Sequence, residues 1–221
     1  MSNQIVVSIP ITLNNRQKIA NALWDKYGTD YLFIGRVFQE TTTNQSCAIE
    51  IIQTIDPMTE CDQAIIYLTS HDVGYQACLT IARFAQVLLN IGGIAVKIES
   101  AELTHKSNKW LSNYNSQDVF EIYSLYVGLI EGEDTYYSCG MHNFGKADVF
   151  IGARENICLA IYVMNVFNYY RLTESPILQD KHTFQPDIES PTYQMKLLED
   201  REYEATSLQY NPFGRWYLYR C

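Results

Sequence analysis

Between Tyr136 and Phe150 the chain gathers Cys139, His142, Asn143 and Asp148 around Gly140 and Gly145, a density of reactive side chains found nowhere else in it. A thiol, an imidazole and a carboxylate or amide that orients the ring are what nucleophilic thiol chemistry requires. Read that way, Cys139 is a nucleophile, His142 its base and Asp148 the orienting group of a hydrolase or transferase. The spacing opposes this, because residues three apart on an extended strand point to opposite faces. Only a bend at Gly140 could bring Cys139 and His142 together. The plainer alternative is a half-buried cysteine beside a histidine that bonds backbone at a turn.

The same corner can be read as part of a binding surface. Glu99 and His105 follow a strand end, a place where α/β folds often carry function. Asn211 opens the turn Asn211-Pro212-Phe213-Gly214. With His142 and Asn143 these residues make up the candidate binding set. If the corner is functional it should form a concave site with Glu99 and His105 or with the Asn211 turn, and if it is structural His142 should be enclosed. His71, Asp72, His105, His142 and His182 are residue types that suit zinc, but no metal is expected, since no two of the histidines stand at ligand spacing on one element. No cofactor is expected either: Gly92-Gly93 lacks a following Lys-Ser/Thr, and no Gly-x-Gly-x-x-Gly occurs.

The elements that must position these residues can be read from periodicity. Ile5 to Ile11 is a strand, and Asn14 or Asn15 can cap a helix with Ile19, Ala20, Leu23 and Trp24 on one stripe, ended by Gly28. Tyr31 to Phe38 and Cys47 to Gln53 suggest a hairpin, and Ala64 to Thr69 a buried strand. A helix follows, with Gln76, Thr80, Arg83, Gln86 and Asn90 on a wet face opposite Cys78, Ile81, Ala85 and Leu88. Ile94 to Ile98 is a strand, then a short helix surrounds Trp110. Ile122 to Ile130 reads as a strand turned by Glu131-Gly132-Glu133-Asp134 into the Tyr136 strand. That places Gly140 to Gly145 at the far end of the hairpin from the acidic turn, roughly 15–30 Å away. Asn156 to Tyr170 is apolar nearly all round and reads as a helix. Ser175 to Pro191 reads as a surface loop, and Tyr193 to Leu198, Ser207 to Tyr210 and Trp216 to Tyr219 as closing strands.

The order predicts an α+β fold with mixed or mainly antiparallel sheets and three main helices packed on one face. We read residues 1–221 as a single domain, with possible sub-lobes 1–112 and 118–221. Sixteen basic and 25 acidic residues leave a formal charge of −9. The excess lies in residues 116–221, which hold 8 basic and 15 acidic residues. Such a charge repels phosphate backbones and anionic lipid, so neither nucleic acid nor membrane is an expected partner, whereas a basic protein is. The six cysteines form no Cys-x-x-Cys pair and several lie in apolar runs, as reduced core thiols do. With no basic residue ahead of a short apolar start, the chain reads as cytoplasmic. Seventeen tyrosines suit half-exposed strands and contact surfaces.

Three blocks carry a family resemblance. They are Val96-Lys97-Ile98-Glu99-Ser100-Ala101 with His105 and Trp110-Leu111 following; Tyr137-Ser138-Cys139-Gly140-Met141-His142-Asn143-Phe144-Gly145 with Asp148; and Tyr210-Asn211-Pro212-Phe213-Gly214-Arg215-Trp216. In order and spacing they resemble an uncharacterised bacterial family catalogued as domain of unknown function 4261. The resemblance brings no assigned activity; by analogy it implies a setting of bacterial conflict and secretion. Together with the acidic, tyrosine-rich second half it leads us to expect an immunity or antitoxin-like protein that neutralises a basic toxin domain. A thiol enzyme centred on Cys139 and His142, and a structural subunit of a larger assembly, are the alternatives.

Overall fold

Alternating aliphatic residues organise the first half around one sheet. The computed structural model describes residues 4–12, 16–55 and 62–221. Within them β1 (Ile5–Ile11), β2 (Tyr31–Ile34), β3 (Val37–Glu40), β4 (Ser46–Ile55), β5 (Asp62–Ser70), β6 (Ala95–Ile98) and β7 (Leu103–Lys106) form a seven-stranded sheet. Its order is β2-β3-β4-β5-β1-β6-β7, antiparallel throughout. Ile5, Val7, Ile9 and Ile11 of β1 share one face with Ile66 and Leu68 of β5, and all are buried. That face meets helix α2 (Tyr75–Asn90), which also packs against α1 (Arg16–Tyr27).

Helix α2 departs in part from the amphipathic reading: Gln76 and Asn90 are exposed as expected. Thr80 and Gln86, expected to be wet, are buried, because α1, α3 (Ser107–Asn113) and α4 (Val119–Tyr126) pack around α2. Trp110 of α3 is fully enclosed and donates its indole N–H to the Ala82 carbonyl at 3.1 Å. On α1, Ile19 and Leu23 face the core but Trp24 is exposed, so the expected stripe is one residue too wide. The proposed caps Asn14 and Asn15 lie outside the described residues.

Three further expectations are corrected. Tyr31 to Phe38 is not one strand but the tight hairpin β2–β3, turned at Gly35 with φ +61°. Residues 122–126 belong to α4, because the Asp118 carboxylate accepts the Phe120 N–H at 2.8 Å and caps a helix whose Ile122, Tyr123, Leu125 and Tyr126 are buried. A strand starts only at Gly128. Ser207 to Tyr210 forms turns in place of a strand.

The second sheet contains β8 (Gly128–Glu131), β9 (Thr135–Cys139), β10 (Asp148–Gly152), β11 (Thr183–Phe184), β12 (Tyr193–Leu198) and β13 (Arg215–Arg220), ordered β11-β12-β13-β10-β9-β8. Its pairs are antiparallel except β10 with β13. Helix α5 (Ile157–Thr173) starts where the Asn156 side-chain oxygen accepts the N–H groups of Cys158 and Leu159, and it packs on β9 and β10. Ala160, Val163 and Phe167 meet Val149, Ile151 and Leu218 there in a second core. The fold is therefore α+β with mostly antiparallel sheets and five α-helices among the described residues. None of those helices is long and apolar enough to cross a membrane.

Candidate functional site

The bend at Gly140 is fixed by close packing. Its φ is +123°, and a Cβ there would stand 2.1 Å from the Tyr126 carbonyl oxygen. Only glycine lets the chain pass this point. A 3-10 turn over Met141–Phe144 follows, closed by Gly145 at φ +70°, and it returns the chain to Asp148 at the head of β10. The pairing of Gly128 with Cys139 and of Glu131 with Tyr136 puts this corner at the opposite end of the hairpin from the acidic turn.

Asp148 is the hub of what the corner assembles. One carboxylate oxygen accepts the Ser138 hydroxyl at 2.9 Å and the Met141 N–H at 3.2 Å. The other accepts the Asn211 amide at 2.6 Å and lies 3.9 Å from Nδ1 of His142. Asn211 also donates to the Lys146 carbonyl and takes its own place through Asp200, which accepts its backbone N–H at 2.8 Å. On the far side, Asn143 accepts the Ser100 hydroxyl at 2.8 Å and reaches the Tyr126 carbonyl, while its own carbonyl accepts the Gly74 N–H. Cys139 points its thiol toward the Ser100 carbonyl at 4.0 Å.

All of these side chains are inside the protein: His142 and Asn143 have no exposed surface, Cys139 and Asn211 have 1 % and Asp148 3 %. Burial first, then the Asp148 charge, pushes the Cys139 thiol far above its ordinary range, so it is protonated at neutral pH. A buried guanidinium, Arg171 of α5, lies within the electrostatic influence of Asp148. It donates to the Ala147 carbonyl at 2.7 Å and to Asn168, and lies over the Phe167 ring. Burial lowers its pKa to about 10 against the opposing pull of Asp148, so it remains a cation.

The structure thus brings together Cys139, His142, Asn143, Asp148 and Asn211, but not Glu99 and His105. Glu99 stands in the turn just after β6, accepting the Ser8 hydroxyl at 2.6 Å and pairing with Lys97 at 2.6 Å. His105 is hydrogen-bonded to the Leu125 carbonyl at 2.9 Å, and burial lowers its pKa, which keeps it neutral. No group of three or more His, Cys, Asp or Glu side chains able to hold a metal is found among the described residues. One surface depression reaches the cluster through Asn211, and another lies away from it. The first, of about 420 Å³, runs along Leu197–Asp200 and Tyr210–Gly214, and the second, of about 730 Å³, lies between α5 and residues 176–186. Neither is lined by Cys139, His142 or Asp148.

Besides Arg171, two features escaped the sequence reading. Glu40 of β3 is 3 % exposed and its carboxylate accepts from Tyr31, Thr43, Thr80 and Arg83. Its signal was present: Phe38 and Glu40 alternate, so a carboxylate stands at an inward position. The other is the outer face of α5. Ile157, Ile161, Tyr162 and Tyr169 are exposed on it, and Phe120 of α4 packs its ring against Tyr169 at 6.2 Å between centroids. Asp187 accepts the Tyr162 hydroxyl at 2.8 Å, and its neighbour Ile188 is 95 % exposed. No family model matches the chain, and neither a curated protein nor a solved structure matches it significantly.

Proposed function

We propose that the protein is a cytoplasmic, non-enzymatic protein-binding module of the immunity or antitoxin kind, which neutralises a basic protein partner through the outer face of α5. The observation that carries this reading is the concentration of Phe120, Tyr162 and Tyr169 with Ile157 and Ile161 on one exposed surface beside the carboxylates of Asp118, Asp187 and Glu189. Exposed apolar patches rimmed by polar groups mark interaction sites. Aromatic anchors supply most of the energy in such interfaces, and a rim of one sign accelerates encounter with a partner of the other.

The resemblance to domain of unknown function 4261 fits this reading. Its three blocks, distant in sequence, converge through the Ser100–Asn143 and Asp148–Asn211 contacts. The thiol-enzyme alternative has less support, since Cys139 and His142 are enclosed and the thiol is held in its protonated form. The free state of Cys47, Cys78, Cys139, Cys158 and Cys221 agrees with a reducing compartment.

The test is recovery of the tagged protein from its host beside the variants Tyr162→Ala and Tyr169→Ala. A single basic protein should be retained by the wild type and released by either variant, with affinity lower by ~30-fold, the scale of an aromatic hot spot. Retention unaffected by both substitutions, or no partner at all, would remove the reading.

A further inference from the structure

Residues 174–192 join α5 to β12 and contain only the two-residue strand β11. Connections of that length inside a compact fold are uncommon and usually carry function. Between this one and α5 lies the depression of about 730 Å³, a volume in the range of small-molecule pockets. Its base is apolar. Val166 of α5, Leu178, Phe184 and Met195 line it, and the last three belong to the second core or pack against it. At its rim Ile177 is 88 % exposed, an apolar side chain with no cover of its own. Backbone bonds fix the far wall ahead of any ligand: the Lys181 N–H donates to the Met195 carbonyl at 2.8 Å, and the Met195 N–H to the His182 carbonyl at 2.9 Å. A wall already in place spares a ligand the cost of ordering it.

The charge of the depression is of one sign. Lys181 and His182 line it and no Asp or Glu does, in a chain whose formal charge is −9. Pairing sets Thr183 opposite Gln194 and Phe184 opposite Tyr193. By alternation His182 is then level with Met195, on the sheet face that α5 covers. The carboxylates nearest in sequence are engaged elsewhere. Asp180 accepts the Leu197 N–H at 2.8 Å, and Asp187 accepts the hydroxyls of Tyr162 and Ser190. The Lys181 ammonium, the His182 ring and the Tyr170 hydroxyl, all at the depression, make no hydrogen bond or ion pair among the described residues. Donors around an apolar floor, with a full positive charge and no opposing carboxylate, complement an anionic head on an apolar body. A small molecule fits better than a peptide, because β11 pairs through only two residues and is too short to template an added strand.

We infer that the depression between α5 and residues 176–186 binds a small amphipathic carboxylate of the fatty-acid class. Its chain lies against Val166, Phe184 and Met195 and under Ile177, and its carboxylate lies between Lys181 and His182. Neither Tyr162 nor Tyr169 lines this site, so the inference does not rest on the proposed partner surface.

Isothermal titration calorimetry with decanoate tests it. The wild type should take up one equivalent with a Kd of about 10–100 µM. Decyltrimethylammonium, with the same chain and a positive head, should bind at least ~10-fold more weakly. Lys181→Glu, a change at an exposed position, should weaken decanoate ~30-fold and reverse that preference at an unaltered circular dichroism spectrum. Ile177→Asp should also weaken decanoate, whereas Tyr162→Ala/Tyr169→Ala should bind it as the wild type does, which separates the depression from the exposed face of α5. The inference is overturned by the absence of saturable uptake, by equal affinity for the two head groups, by indifference to Lys181→Glu, by loss of binding in the double tyrosine variant, or by a peptide with an apolar C-terminal residue binding more tightly than decanoate.

Discussion

Asp148 is held by one hydroxyl, one backbone N–H and one amide, all buried, and removing an acceptor of that kind leaves three donors without a partner. Asp148→Ala should cost about 3 kcal/mol, read as a lower urea midpoint at unchanged slope. Gly140→Ala should be at least as damaging, since the new Cβ collides with the Tyr126 carbonyl in a backbone conformation L residues rarely adopt; a melting temperature within a degree or two of wild type would contradict the described turn. At Glu40, burial alone would raise the pKa, but hydrogen bonds from Thr80, Thr43 and Tyr31 and the Arg83 charge bring it below its ordinary value near 4.5. Its stabilising effect is therefore complete above that value and lost as pH falls through the depressed folded pKa. Unfolding curves between about pH 3 and 6 should show a shallower acid decline for Glu40→Gln than for wild type. The sequence displayed the residues of the corner but not their environment. Local spacing picked out Cys139, His142, Asn143 and Asp148, whereas the contacts to Ser100 and Asn211 depend on chain closures that no local pattern records. Arg171 was invisible for the same reason, as a cation on a helix reads as a surface residue until its neighbours are known.

At the level of elements, legibility followed how strictly a segment's periodicity could be satisfied in one way. Strand β1 was readable because Ile5, Val7, Ile9 and Ile11 alternate, and α5 because Asn156 caps a long apolar run. Residues 122–130 misled because short apolar runs fit helix and strand equally, and what decided between them was the Asp118 cap. Helix α2 misled differently: Thr80 and Gln86 mark a wet face by type, yet three further helices bury them, and Thr80 finds Glu40 instead of water. For α5 the apolar run was read as a helix without a distinction of faces, and it buries Ala160, Val163 and Phe167 while showing Ile161, Tyr162 and Tyr169 to solvent. Because those side chains contribute little to the second core, the double variant Tyr162→Ala/Tyr169→Ala should melt close to wild type, within ~0.5–1 kcal/mol of its stability. A loss of several kcal/mol would assign the face to folding and not to recognition.

Over the whole molecule, a buried carboxylate, Asp148, and a buried guanidinium, Arg171, lie inside the half built on the second sheet, while apolar side chains are exposed on α5. The class of fold was legible in the sequence, from strand and helix periods alone. The contacts of Asn143 with Ser100 and Gly74, which tie the corner to the first half of the chain, were not, because register and packing between distant segments are set by tertiary contacts. This arrangement predicts that chemistry at Cys139 is silent in the native state. Cys158 and Cys221 are exposed, whereas Cys47, Cys78 and Cys139 are buried. The most direct test of the central claim, that the polar corner is internal framework and recognition is a surface property, is to follow thiol labelling of Cys139 by mass spectrometry across a urea titration while assaying partner retention by Cys139→Ala. The account predicts that Cys139 is modified only in step with global unfolding and that Cys139→Ala, wherever it remains folded, keeps the partner and the host phenotype. Rapid labelling of Cys139 in the native protein, with loss of phenotype in Cys139→Ala at unchanged melting temperature, would contradict it.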